Sequence, residues 1–95
     1  MQLHIISHSP YKNTTFTQAL ATATANDKLL LVDEGVYALT GVYKQQIQAH
    51  PTACFAIKEH LVLRGLPLDE NAAELINFDT FVRLSLDAQH CLSWY

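Results

Sequence analysis

The chain has 95 residues and a formal net charge of −3, and 49% of its residues are hydrophobic while only 16% are charged. This length predicts a single domain, residues 1–95, and the charged share, below the usual ~25%, predicts that a partner buries part of the surface. Scattered basic residues and short apolar runs argue against autonomous nucleic-acid binding and against a membrane span.

The first apolar segment leads directly into a polar turn. Residues 3–6 predict a buried strand, and His8, Ser9 and Pro10 follow it. In open α/β sheets, functional sites usually lie beyond the carboxyl ends of the strands. We therefore expect any site of this protein in or near this turn, which contains no cysteine.

A helix and a second strand follow. Apolar residues recur at helical spacing over 14–25, and Ser9 or Asn13 is the expected cap, with Pro10 suited to the first turn. The continuous apolar run 29–32 is typical of a strand buried on both faces of a parallel sheet.

The middle of the chain continues with short helices and a third strand. Residues 36–39 and 42–49 predict two helical pieces, and residues 53–57 predict the third strand. A short helix over 58–64 is expected to end at Gly65, a residue suited to the position after a helix.

The last third predicts two more strands around one helix. Asp69 is expected to cap a helical turn through Ala73, and Asp79 to cap the last helix. The strands are predicted at 74–78 and 91–95. Strands separated by helical segments of this size predict an α/β three-layer sandwich with about four or five mostly parallel strands.

The sequence offers no recognisable metal or nucleotide site. On a strand, His4 and His8 lie roughly 13 Å apart, too far to share a metal ion. Asp33 and Glu34 follow a strand, as magnesium ligands do in receiver domains, but a solvated turn at a helix start is the favoured interpretation. No glycine-rich phosphate loop is present. We therefore predict no cofactor.

The two cysteines are the residues most able to carry sulfur chemistry. Cys54 falls at the amino end of a predicted strand among apolar neighbours, which predicts a buried, unreactive thiol. Cys91 adjoins His90, but neighbours on a strand point to opposite faces, so no Cys–His dyad follows from adjacency. Trp94 is expected either to close the core of this domain or to anchor a partner.

Three segments together resemble one family: residues 1–10, residues 30–36 and residues 78–84, followed by a tail with Trp94. They resemble the DsrH/TusB family, a branch of the DsrE/DsrF/DsrH sulfur-relay superfamily. The resemblance implies a flavodoxin-like parallel sheet. It also implies assembly with TusC-like and TusD-like sister subunits into a heterohexamer.

In that family the complex passes persulfide sulfur from a TusA-like carrier to a TusE-like carrier. The sulfur ends as the 2-thio group of a tRNA wobble uridine. The resemblance implies that the TusD subunit carries the persulfide, while some DsrH relatives have a cysteine after the first strand. This chain has none over residues 8–25, so we expect a non-catalytic, cytoplasmic subunit that does not itself contact nucleic acid or membrane.

Two other interpretations stay open at the level of sequence. One is an independent sulfurtransferase that carries a persulfide on Cys54 or Cys91, and the other is a stand-alone small-molecule module. Under the favoured interpretation we assign no catalytic residue, and Phe78, Phe81 and Trp94 are the candidates for packing or subunit contact.

Overall fold

The computed structural model describes residues 1–94 and contains a five-stranded sheet, whose strands lie in the order Glu74–Ile76, Ala53–Ile57, Lys28–Leu31, Gln2–Ile6 and His90–Trp94. Every strand pairing in the sheet is parallel. The predicted α/β architecture is therefore confirmed. The strands are β1 Gln2–Ile6, β2 Lys28–Leu31, β3 Ala53–Ile57, β4 Glu74–Ile76 and β5 His90–Trp94. The helices are α1 Thr15–Thr22, α2 Gly41–Ala49, α3 Lys58–Leu63 and α4 Phe78–Asp87, and a 3₁₀ helix, Asp33–Leu39, joins β2 to α2.

Helices pack on both faces of the sheet, but unequally. On one face, which we call the covered face, α1, α2 and α3 pack onto strand residues such as Ile6 and Leu29. On the other, the half-covered face, α4 packs through Leu84 onto Leu3 and Leu30. The two faces follow from connectivity, because β1 to β4 are added in one direction and the α4 connection returns to place β5 beside β1.

The central strand β2 explains the continuous apolar run in the sequence. Leu29 and Leu31 point into the core of the covered face, and Leu30 points into that of the half-covered face. All three side chains are fully buried, as expected for the middle strand of a parallel sheet.

The start of α1 differs from the prediction. The helix spans Thr15–Thr22 rather than 14–25, and Pro10 lies in a separate turn before it. The carbonyl of Ser9 closes that turn by accepting backbone N–H groups of Lys12 and Asn13. Asn13 Oδ1 then accepts the N–H of Thr15 at 3.1 Å, and the helix begins at Thr15, five residues later than a cap at Ser9 requires.

The predicted helical turn at 69–73 is wrong. The carboxylate of Asp69 accepts the N–H of Asn71 at 2.8 Å and pairs with Lys44 Nζ at 2.7 Å. This local turn replaces a helix cap, because both carboxylate oxygens are used before a helical hydrogen bond forms.

The predicted junction between β4 and α4 is also wrong. The strand ends at Ile76 rather than at residue 78, because Asn77 caps α4 by accepting the N–H of Thr80 at 2.9 Å. Asp79 therefore lies in the first helical turn and is not the cap, although its charge there favours the helix dipole.

The helical piece predicted at 36–39 is a 3₁₀ helix that begins three residues earlier, at Asp33, and the remaining predicted boundaries hold within one residue. Gly65 follows α3 with a φ of +66°, the left-handed conformation that glycine adopts at little cost. The last strand, predicted at 91–95, is His90–Trp94, and Tyr95 lies outside the described residues. No helix in the described part of the chain is long and apolar enough to cross a membrane.

Candidate functional site

The candidate site is the edge of the sheet where β1, β2 and β3 end. We call it the carboxyl edge and define it by residues 7–14, 33–34 and 58–60, which follow these three strands directly. In parallel α/β folds this edge is where ligands and partners usually bind.

The turn after β1 is held by its own hydrogen bonds. Ser9 is buried, and its Oγ accepts the N–H of Tyr11 at 3.2 Å. The hydroxyl of Tyr11 contacts Thr40 Oγ1 at 2.9 Å, and its ring meets Tyr43 edge-on at 4.9 Å between centroids. The turn is therefore fixed against the segment that precedes α2. His8 is half-buried within it.

The close approach of β1 to the 3₁₀ helix requires a glycine. A Cβ atom at Gly35 would lie 2.0 Å from the carbonyl oxygen of Ile6. The same carbonyl accepts the N–H of Val32 at 3.0 Å. Gly35 thus allows the connection after β2 to pass directly over the end of β1.

Asp33 and His60 meet across the ends of β2 and β3. The backbone N–H of Asp33 donates to His60 Nδ1 at 2.8 Å, and Asp33 has a φ of 49°, which is uncommon for a residue with a side chain. Because Nδ1 accepts this bond, the neutral His60 carries its proton on Nε2. The interaction positions the imidazole, while the Asp33 carboxylate is exposed to solvent.

A second pair of charged residues lies at the same edge. Lys12 Nζ is 3.3 Å from Glu34 Oε2; the side chain of Lys12 is largely exposed and that of Glu34 is partly exposed. Such a pair contributes little to stability. Across residues 1–94, no three His, Cys, Asp or Glu side chains are grouped as metal ligands would be. The edge therefore presents hydroxyl, imidazole and carboxylate groups to a partner or ligand.

Both cysteines lie away from the carboxyl edge. Cys54 is the second residue of β3, on the covered face, where burial raises the pKa of its thiol from 9.0 to about 12. Cys91 is the second residue of β5 and is exposed, and its Sγ–H donates to the Ser85 carbonyl at 3.7 Å. The expected burial of Cys54 is confirmed, and a protonated thiol at that depth is a poor nucleophile.

Trp94 contacts the core of its own chain. Its indole Nε1–H donates to His4 Nδ1 at 3.1 Å, and the two rings stack at a centroid distance of 6.0 Å. His4 is fully buried, and because its Nδ1 accepts from Trp94, its Nε2–H donates to Asp27 Oδ2 at 3.2 Å. This chain of contacts joins β5 to β1 and to the turn before β2.

Asp27 is the acidic end of that chain of contacts. Its burial raises the pKa of the carboxyl, but the hydrogen bonds from Thr24, His4 and Gln2 outweigh burial, and the pKa falls from 3.8 to about 2. Asp27 therefore stays ionised at neutral pH and accepts all three bonds.

The two phenylalanines lie on α4. Phe78 is 62% exposed, and Phe81 is half-buried against the core of the half-covered face. Their rings meet edge-on at 5.5 Å between centroids. Phe81 therefore packs within the chain. A part for Phe78, Phe81 or Trp94 in subunit contact stays a prediction.

A small cleft lies between α2, α3 and the segment after α3. Its volume is about 240 Å³, and Leu39, Leu61 and Leu66 form much of its wall. The ion pair of Lys44 and Asp69 lies at its side, and the hydrogen bond from Lys44 is the main cause that lowers the pKa of Asp69. This volume is below the ~300 Å³ typical of small-molecule pockets.

Sequence reasoning missed the contact between Asp33 and His60 and the pair of Lys12 and Glu34. The available signal was positional, since each of these residues lies within six residues after the end of a predicted strand. Parallel strands bring such residues to one edge. No local pattern indicated the positive φ of Asp33.

The similarity of this chain to known proteins shows its family. The family model for DsrH-like proteins matches residues 8–91, and the chain belongs to this family. A relative named Protein TusB from Yersinia pestis (strain Pestoides F) is 32% identical over 96 residues, covering 97% of this chain and 99% of the relative. Protein TusB from Yersinia pseudotuberculosis serotype O:1b (strain IP 31758) shows the same identity and coverage.

Solved structures share the fold. The crystal structure of the ychN protein from E. coli matches with a TM-score of 0.74 and 20% identity, covering 99% of this chain and 100% of that one. A conserved protein of unknown function from Bacteroides thetaiotaomicron matches with a TM-score of 0.73 and 14% identity, covering 97% of this chain and 93% of that one. At these identities the likeness shows the fold alone.

Proposed function

We propose that this chain is a non-catalytic subunit of a cytoplasmic sulfur-relay complex, a heterohexamer with TusC-like and TusD-like sister subunits. The complex passes persulfide sulfur from a TusA-like to a TusE-like carrier, toward 2-thiolation of the tRNA wobble uridine. Membership of the DsrH-like family and the TusB relatives support this proposal.

The position of the two thiols is the observation that carries the non-catalytic role. In a relay, a thiolate attacks the outer sulfur of a persulfide, and the donor cysteine leaves as a thiolate. Such a thiolate must be accessible and have a lowered pKa. Cys54 has the opposite properties, and both cysteines lie away from the carboxyl edge.

The experiment is a reconstituted relay with radiolabelled sulfur. We expect the Cys54→Ser/Cys91→Ser variant to assemble with its sisters and to support the wild-type rate of transfer to the downstream carrier. Assembly is followed by light scattering. Loss of transfer with assembly intact would show that this chain carries sulfur.

One observation keeps an alternative function open. Cys91 is exposed, as a persulfide-carrying cysteine must be. The alternative is an independent sulfurtransferase that uses Cys91, and it predicts that Cys91→Ser alone stops transfer. The matched control is Cys54→Ser, which under both functions leaves transfer unchanged.

A further inference from the structure

The hydrogen bond between Trp94 and His4 forms in only one protonation state of the imidazole. Trp94 Nε1–H donates to His4 Nδ1 at 3.1 Å, while His4 Nε2–H donates to Asp27 Oδ2 at 3.2 Å. A ring nitrogen can accept only while it carries no proton. Within residues 1–94, every fully buried side-chain nitrogen and oxygen has a hydrogen-bond partner in this arrangement. The neutral imidazole is therefore the form that fits this part of the core.

A second proton on His4 would set two donors against each other. The added Nδ1–H would meet the indole N–H of Trp94 across 3.1 Å, where neither nitrogen can accept. Because His4 is fully buried, the added N–H reaches water only if a neighbouring group moves. A buried donor without an acceptor is costly. Protonation of His4 therefore opposes the observed position of the indole.

The carboxylate of Asp27 allows the imidazole to become charged inside the fold. Burial raises the pKa of Asp27, but the hydrogen bonds from Thr24, His4 and Gln2 lower it to about 2, so this side chain is ionised. Its Oδ2 already accepts from His4 and would pair with an imidazolium at the same place. The positive charge is thus compensated, and the conflict is confined to the indole.

Trp94 is the member of this group that is free to move. It is the last residue of β5, an edge strand that pairs only with β1. Its side chain is half-buried and packs onto the core of the covered face. His4, in contrast, lies on a strand that is paired on both sides. The end of an edge strand opens locally at a lower cost than the centre of a sheet.

The other charged groups near β1 do not meet the imidazole. The helix packed over β1 and β5, α1, contains no Asp, Glu, Lys, Arg or His. On β5, His90 is on the same face but lies two residues along the strand from the imidazole. On β2, Lys28 points to the half-covered face. Among the described residues, those at the two ends of β1 are the amino group of Met1, His8, Asp33 and Glu34.

We propose that His4 and Trp94 form a pH-sensitive switch. Neutral His4 holds the indole against the core, and protonation of His4 at Nδ1 releases the indole while the sheet stays folded. Trp94 lies beside Ile6 in the sheet, so its release opens the protein next to residues 7–14 of the carboxyl edge. This inference goes beyond the proposed function and does not rest on it, because it concerns the isolated chain.

The first experiment follows the fluorescence of Trp94, the single tryptophan of the chain. We expect its emission to shift to longer wavelength and its quenching by acrylamide to increase as the pH falls from about 8 to about 5, the range in which imidazoles ordinarily titrate. Far-ultraviolet circular dichroism should stay constant over this range. Constant emission, or a shift that coincides with loss of the circular dichroism signal, would overturn the proposal.

The second experiment repeats this titration on two variants. His4→Gln has an amide that can both accept and donate hydrogen bonds but does not titrate, so we expect it to remove the pH-dependent shift. His90→Gln is the matched control, since it removes the other imidazole on this face of the sheet, and it should retain the full shift. A shift that persists in folded His4→Gln, or one that is lost in His90→Gln, would contradict the switch.

A third measurement needs no variant and therefore serves if His4→Gln does not fold. Nuclear magnetic resonance follows the ring protons of each histidine in the unmodified chain over the same pH range. The midpoint of the Trp94 fluorescence change should coincide with the midpoint of the His4 titration. A fluorescence change that instead follows His8 or His90 would overturn the assignment to His4.

Discussion

The two faces of the sheet differ in how completely the chain covers them. On the covered face, three helices bury residues such as Phe16, Leu31 and Ala56 completely. On the half-covered face one helix packs, and Phe78 and Leu86 of that helix remain mostly exposed. The covered face therefore holds the larger buried core, whereas the helix on the half-covered face keeps apolar side chains exposed to solvent.

The low share of charged residues in the sequence is explained by this difference between the two faces. An exposed helix side normally carries Lys, Glu or Arg, whereas α4 carries Phe78, Val82 and Leu86 there. Burying apolar surface stabilises by roughly 25 cal/mol per Å², so these exposed side chains favour association over contact with water.

The largest expected contrast compares one phenylalanine from each face. Phe16→Ala should lower the free energy of unfolding by about 3–5 kcal/mol, because Phe16 is fully buried and its removal leaves a cavity. Phe78→Ala should lower it by less than ~1 kcal/mol. Urea unfolding followed by circular dichroism measures both. Equal losses would remove the contrast between the faces.

Gly35→Ala tests the close approach of the 3₁₀ helix to the end of β1. A Cβ there would meet the Ile6 carbonyl at 2.0 Å, so we expect a loss of about 3 kcal/mol. Gly65→Ala is the matched control. No atom lies within 4 Å of its Cβ position, and only the left-handed φ opposes the change, at about 1 kcal/mol. A similar loss in both variants would show that the approach to Ile6 has little effect.

The ionised carboxylate of Asp27 makes the free energy of unfolding depend on pH in acid. The pKa of Asp27 is about 2 in the folded chain and 3.8 ordinarily. The unfolded chain therefore binds this proton at a higher pH than the folded chain does. The stabilisation is complete above the ordinary value and is lost as pH falls from 3.8 toward 2. Asp27→Asn should cost about 2 kcal/mol at neutral pH and weaken this acid dependence. Unfolding curves at a series of pH values measure both effects, and an unchanged acid dependence in the variant would contradict the account.

Chemical labelling tests the exposure of the two cysteines without changing the sequence or the fold. Iodoacetamide should modify exposed Cys91 in the native protein and Cys54 only after unfolding, as mass spectrometry of the peptides would show.

Above pH 9.0 the thiol of Cys54 ionises in the unfolded chain, whereas in the folded chain it stays protonated up to about pH 12, so the free energy of unfolding should fall over that range. Cys54→Ala should reduce this alkaline loss. Rapid native labelling of Cys54 would contradict its burial.

The parts of this fold that the sequence predicted are those governed by local patterns. The run at 29–32 indicated a central strand, and Gly65 indicated the end of α3, because each depends on near neighbours. Asn77 rather than Asp79 caps α4, and cap preference alone does not separate these two residues, since Asn ranks with Asp at this position.

The parts that the sequence could not predict depend on distant residues. Trp94 and His4 are 90 positions apart, and their hydrogen bond exists only because β5 returns beside β1. The contact of Asp33 with His60 likewise requires that β2 and β3 be neighbours. Such contacts follow from the order of the strands, which no local pattern contains.

The role of this chain as a relay subunit is tested by co-expression of the chain, carrying an affinity tag, with TusC-like and TusD-like subunits. We expect all three chains to purify together in equal amounts, and light scattering to give the mass of a heterohexamer. If the tagged chain purifies without either sister under the same conditions, its role as a subunit of the relay complex is contradicted.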